Sequence, residues 1–220
     1  MLARKKQPSS SRLARRDPLR TRERLLQAAF SEVYKGGYQG TDLDTILASA
    51  GVTKGALYHH FDNKEALGYA IVDEVIYGIT LAKWVRPLQN AVNPVTTLIE
   101  IVASTSVAPS DLRGGCPLNN LAQEMSPLDE GFRKRLAKVF ADWHGAISSA
   151  LEEGQKRGHV RPGIDPYDSA TFLIAAYEGY ISLSKNSQEV KLLESGKRSI
   201  VCYLETLRPE KTGTLADNPQ

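Results

Sequence analysis

Cysteine is nearly absent from these 220 residues: Cys116 and Cys202 are the only two, eighty-six positions apart. That excludes a disulfide framework and offers no paired spacing for zinc, so both thiols are expected to be free. Long apolar runs are also missing. Every hydrophobic stretch is broken by charge or glycine well short of the roughly eighteen residues a membrane span requires. The basic start MLARKKQPSSSRLARRDP leads into no apolar segment, which argues against a secretory signal and for a cytoplasmic address. Of four histidines, His59 and His60 are adjacent while His144 and His159 stand alone, and none has ligand spacing. Gly114-Gly115 lacks the Lys-Ser/Thr that would follow in a nucleotide loop. No metal and no cofactor is expected. Strand patterning is missing too, because no segment alternates apolar and polar residues long enough.

What is present is a globular composition, 41% apolar and 24% charged, with a formal net charge of +3. The charge is unevenly placed. Residues 1–24 hold nine bases against two acids, a local +7 that leaves −4 for the remainder. Such an arm fits a polyanionic partner or a solvated tail. Helix starts are legible as a short polar residue before proline, which pairs an N-cap acceptor with a residue whose missing N–H costs nothing there. Asp17-Pro18, Asn93-Pro94, Ser126-Pro127 and Asp165-Pro166 follow this pattern, and Thr41 with Asp44 marks a fifth start. Apolar residues recur at helical spacing between them, as in Phe132, Leu136, Val139, Trp143, Ile147 and Leu151. The fold class is all-α, with about nine helices at 18–36, 42–49, 53–59, 63–84, 94–108, 117–125, 127–155, 166–185 and 189–207.

Residues 41–61, TDLDTILASAGVTKGALYHHF, read as two short helices joined at Ala50-Gly51-Val52. A glycine in so tight a turn permits a backbone that a β-carbon penalises, and Thr53 can cap the helix after it. Leu43, Ile46, Leu47, Leu57 and Phe61 face a core, leaving Thr53, Lys54, Ala56, Tyr58 and His59 to face away with donors suited to phosphates and base edges. The same spacing also fits an ordinary helical hairpin.

Gly37-Tyr38-Gln39-Gly40-Thr41, Ala50-Gly51-Val52-Thr53-Lys54-Gly55-Ala56-Leu57-Tyr58-His59-His60-Phe61 and Lys64-Glu65-Ala66-Leu67 together resemble the N-terminal domain of TetR-type transcriptional regulators, over roughly residues 18–78. The resemblance implies a three-helix reader of double-stranded DNA at 18–78. Behind it, a helical domain at 79–208 would bind a small-molecule inducer and form a homodimer. Residues 1–17 would be a disordered basic leader and 209–220 a disordered tail. It further implies that Thr53 caps the recognition helix and meets phosphate, that Lys54, Ala56 and His59 lie toward the major groove, that Tyr58 packs on the DNA backbone, and that Gly55 belongs to the same DNA-binding set. Thr41 and Lys64 would hold phosphates from helix starts, and Arg12, Arg15, Arg16 and Arg20 would approach the duplex. Asp42 and Asp44 depart from the family pattern by placing two carboxylates near that surface.

Beyond residue 87 the reading is physical. Helices 166–185 and 189–207 carry apolar surfaces broader than one core needs, Leu193 and Ile200 among them, and suit a two-fold helical interface. Candidate ligand contacts are Trp143, Tyr177 and Tyr180 as aromatic walls and Asn119, Asn120 and His144 as polar anchors. Cys116 begins a helix behind Gly114-Gly115 with Arg113 beside it, a setting in which a lowered thiol pKa is expected. A Gly-Cys there is also similar to TetR-type repressors of electrophile and small-aldehyde detoxification. The function expected is a ligand-responsive repressor released from a palindromic operator, with no enzyme activity and no membrane partner. A small helical enzyme using Cys116 as nucleophile, or a DNA-binding protein that answers to no ligand, remains the alternative.

Overall fold

The computed structural model of the chain describes residues 18–106 and 108–210. The leader at 1–17, including Arg12, Arg15 and Arg16, and the tail from 211 onward lie outside these described residues. Among them every regular element is helical. Helix α1 is Pro18–Gly36, α2 is Leu43–Ala50 and α3 is Lys54–Tyr58. Leu25, Leu26, Ala29 and Val33 of α1, Ile46 and Leu47 of α2, and Leu57 of α3 bury one stripe each against the others.

Helix α4 is longer than the sequence pattern implies. It runs unbroken through α-helical turns Lys64–Ala70, Tyr77–Thr80 and Arg86–Gln89, with π-helical segments Ile71–Ile76 and Leu81–Val85 between them. The boundary expected at residue 78 therefore falls inside a continuous helix. Helix α5, Pro94–Ala103, stops five residues short of the expected end, and a short α6, Pro109–Gly114, follows. Then come α7, Pro117–Met125, α8, Glu130–Lys156, α9, Pro166–Ser187, and α10, Val190–Glu205. Asn93 and Asp165 cap α5 and α9 as their Asn-Pro and Asp-Pro pairs predict. The start expected at Ser126-Pro127 moves to Asp129, whose carboxylate accepts from the Phe132 amide at 2.8 Å.

Helices α8, α9 and α10 pack on one another, with α5 against α10 and α4 against α8. Phe132, Leu136, Ile147, Leu151 and Leu204 are wholly enclosed there. Leu193 and Ile200, read from the sequence as interface residues, are also buried within the protomer, at 6% and 3% exposure. Among the apolar side chains left outside are Phe172 and Leu183 of α9, 49% and 56% exposed.

Candidate DNA-reading motif and ligand cavity

The turn between α2 and α3 is set by local chemistry. Gly51 sits at φ +61°, a left-handed conformation that ends α2 and suits glycine. Arg24 reaches from α1 to donate to the Ala50 and Gly51 carbonyls, closing the exposed end of α2. Thr53 is the N-cap of α3 and accepts from the Ala56 amide at 3.3 Å. Thr53, Lys54, Gly55, Tyr58 and His59 are exposed, Ala56 is half-buried, and Leu57 between them is buried. One small face of α3 is thus open, on a turn that three hydrogen bonds hold still.

Several candidate residues are placed differently from the sequence reading. Thr41 is buried and its hydroxyl donates to the Gly37 carbonyl at 2.7 Å, so it caps nothing and offers no hydroxyl to phosphate. Asp42 is the cap of α2 instead, accepting from the Thr45 amide at 2.6 Å, and that hydrogen bond holds its carboxyl below the usual range. Lys64 starts α4 half-buried, with its ammonium 4.6 Å from the centre of the Tyr38 ring. Arg22 and Arg24, two of the nine bases counted in the N-terminal arm, are turned to protein: Arg22 pairs in bidentate fashion with Glu74 of α4. Arg20 remains exposed.

In the second half a cavity of about 230 Å³ opens between α4, the 105–118 segment and α9. Trp84, Trp143 and Tyr177 form its aromatic wall, with ring centroids 4.8 Å apart for the two tryptophans and 4.9 Å for Trp84 and Tyr177. The second π-helical segment of α4 carries Lys83 into this wall. Lys83 Nζ donates to the Tyr177 hydroxyl and, at 3.3 Å, to Thr105 Oγ1. Burial is the main cause that lowers its pKa. Glu178, one residue past Tyr177, is 6% exposed and lines the same cavity. Among the described residues no N–H or O–H group meets either of its carboxylate oxygens, only the Cys116 thiol lies beside them, and burial pushes its pKa up to about 7.

Of the seven ligand candidates, Cys116, Trp143 and Tyr177 line this cavity. The other four do not. Tyr180 points its ring at Gly196 of α10. His144 is tied to the Tyr167 carbonyl and Thr171 hydroxyl, both at 3.1 Å. Asn119 bonds Ser182, and Asn120 bridges the Gly114 carbonyl and Lys185. Cys116 is present but with the opposite chemistry from that expected: enclosure in the wall, with Glu178 nearby, pushes its thiol pKa up. The helix dipole and Arg113 are outweighed because an ionised sulfur here would be desolvated beside a carboxylate. Lys83, Thr105 and Glu178 line the cavity as well and are not among the ligand contacts read from the sequence.

Two links join the cavity to the motif. The Tyr34 hydroxyl of α1 donates to the Gly115 carbonyl at 2.8 Å, one residue before Cys116. Glu124 of α7 accepts from the Tyr38 and Gln39 amides at 2.9 and 2.7 Å, in the turn that leads into α2.

This geometry, an exposed capped helix on a braced turn ahead of a helical bundle, agrees with sequence comparison. Residues 25–71 match the profile described as bacterial regulatory proteins, tetR family, and residues 91–200 match the tetracyclin repressor-like C-terminal domain. The chain belongs to the TetR family. It is 30% identical over 167 residues to the HTH-type transcriptional repressor DhaR of Mycobacterium sp. (strain GP1), covering 73% of this chain and 80% of that one. A TetR transcriptional regulator from Chloroflexus aurantiacus J-10-FL superposes with a TM-score of 0.76 at 28% identity, over 87% of this chain and 97% of the other. The regulatory protein TetR from Rhodobacter sphaeroides gives 0.73 at 27% identity, over 83% and 98%. This TetR-family member is accordingly a DNA-binding transcriptional regulator. Among its described residues no helix is long and apolar enough to cross a membrane.

Proposed function

We propose that this regulator is a homodimeric repressor, its 18–78 segment reading a palindromic operator and its 79–208 segment releasing that operator when a small inducer fills the Trp84–Trp143–Tyr177 cavity. The observation that carries the reading is the Tyr34–Gly115 hydrogen bond, which joins the cavity wall at Cys116 to the helix that braces the DNA-reading turn. A ligand that favours one position of the 109–118 segment biases α1 by the same free energy, so operator affinity falls by the difference in ligand affinity between the two states. Two copies of α3 about 34 Å apart would then sit in successive major grooves or fall out of register. Lys54 supplies charge and Tyr58 an aromatic hydroxyl at the open face.

In this reading the inducer is held without a covalent bond: Cys116 is half-buried in the wall beside Glu178, which disfavours its thiolate, and it serves as a small wall residue rather than the electrophile or small-aldehyde sensor that Gly115-Cys116 suggests.

The test is operator selection from a genomic fragment library followed by fluorescence anisotropy. Lys54→Ala and Tyr58→Ala should weaken binding at least about tenfold with helicity unchanged, and affinity should fall by orders of magnitude between about 50 and 200 mM salt. Cys116→Ser should keep inducer-driven release. Wild-type binding by both α3 variants would refute the DNA-reading face, and loss of release in Cys116→Ser would restore the covalent sensor.

A further inference from the structure

The cavity wall holds two orphaned polar groups of opposite kind. Glu178 presents two acceptor oxygens that no N–H or O–H group meets, with only the weakly donating Cys116 thiol beside them, and Trp143 Nε1, a donor only, has no partner either; both residues are buried, at 6% and 2% exposure. An unpaired buried polar group is costly, so an occupant that satisfies both recovers that cost on binding. Lys83 adds a third N–H beyond the two it gives to Tyr177 and Thr105. The wall therefore asks for an acceptor and a donor in one small molecule.

Formal charge on that molecule is disfavoured from both sides. Lys83 already lies 5.0 Å from the centre of the Tyr177 ring and 5.7 Å from that of Trp84, so a second cation would meet it on the aromatic surface. An anion, though drawn to Lys83, would face Asp111 and the ionised fraction of Glu178, which line the same space. Either ion would also lose much of its hydration in a cavity walled largely by tryptophan and leucine. A hydroxyl donates and accepts without charge.

Resting on the regulatory reading of this cavity, we infer that its ligand is an uncharged alcohol or phenol with a compact apolar body, its hydroxyl donating to Glu178 and accepting from Lys83 or the Trp143 indole. The aromatic wall takes the apolar part, and a volume of about 230 Å³ limits it to a single ring or a short branched chain. Glu178 makes this a specific site, because a pocket that hydrogen-bonds a hydroxyl rejects the analogue without one far more strongly than an apolar pocket rejects a missing methylene.

Four probes sharing one skeleton test the class: benzyl alcohol, benzoate, benzylamine and toluene, titrated into the full chain at pH 7 without DNA and followed by calorimetry and tryptophan fluorescence. Benzyl alcohol should bind tightest, by about tenfold over each of the others. In Glu178→Leu that preference should collapse, with toluene gaining. Glu178→Gln, which keeps an acceptor, should retain more of it. The inference is overturned if benzoate or benzylamine leads, if toluene equals the alcohol in the wild type, if none of the four binds at about 10 mM, or if Glu178→Leu keeps the wild-type ranking. Operator anisotropy read separately keeps the two proposals apart. Benzyl alcohol that binds without releasing operator counts against the regulatory reading alone, while release by an ion counts against the ligand class alone.

Discussion

Glu178 is a buried carboxyl whose proton affinity couples this cavity to the stability of the fold. Its carboxyl is held near pH 7, above the value of about 4.5 it has when exposed, because burial penalises the charged form more than Lys83 and Cys116 relieve it. A group whose folded pKa is raised keeps its proton longer in the native state. Between about pH 4.5 and 7 the unfolded chain releases that proton and the native chain does not, so this residue's contribution to stability is greatest below that window and is lost as pH rises through it. The shift corresponds to a loss of order 3 kcal/mol. Urea unfolding midpoints should therefore fall from pH 5 to pH 8 by more in the wild type than in Glu178→Gln, whose neutral amide does not titrate. Parallel pH profiles for the two proteins would show that Glu178 is not held protonated in the native state.

At the scale of elements, the 109–125 segment ties the two halves together, and each tie is a single hydrogen-bonding group. Gly114 lies so close to Tyr34 that a β-carbon there would meet the hydroxyl at 2.0 Å, which is why the loop can bring the Gly115 carbonyl within reach. Tyr34→Phe removes the donor and leaves the ring stack on Phe30, 5.8 Å between centroids. Glu124→Gln keeps the shape but leaves one of the Tyr38 and Gln39 amides facing a weaker or wrong partner. Both variants should fold, bind ligand and bind operator within a few-fold of wild type, yet lose much of the ligand's effect on operator affinity, measured as the ratio of anisotropy-derived Kd values with and without inducer. An unchanged ratio in the double variant would mean that coupling travels by another route. These ties also mark the limit of sequence reading. The caps at Asn93 and Asp165 and the turn at Gly51 were legible because each depends on residues within four positions of one another, whereas the start expected at Ser126-Pro127 fell three residues early, the cap being Asp129. Lys83 was not, because two π-helical segments shift α4 off the 3.6-residue period on which a stripe is read. Glu178 could be seen as a charge on an apolar helix, but that the cavity lies on its side of α9 is a fact of packing. Tyr180 and His144 failed for the same reason, since both sit on broadly apolar helices and turn to α10 and to the start of α9.

For the whole molecule the question is what covers the outer face of α9. A soluble surface rarely keeps two large apolar side chains as open as Phe172 and Leu183 in one groove, and here Tyr180, Gly179 and Ser199 complete it. The groove runs along α9 and α10, the elements whose breadth of apolar surface first suggested a two-fold contact. A homodimer through it would leave α3 on each copy free, and operator binding would gain from two half-sites engaged at once. Leu193 and Ile200 are poor places to probe this, because both are buried within one protomer and a charge there would damage folding before assembly. Phe172→Glu with Leu183→Glu alters residues already half in water. The expected outcome is a monomer at micromolar concentration by sedimentation velocity, with helicity and probe binding in the cavity preserved and operator affinity reduced by at least about a hundredfold. A dimer that survives both charges would move the interface to another face, and a monomer that binds the full operator as tightly as wild type would separate DNA reading from assembly.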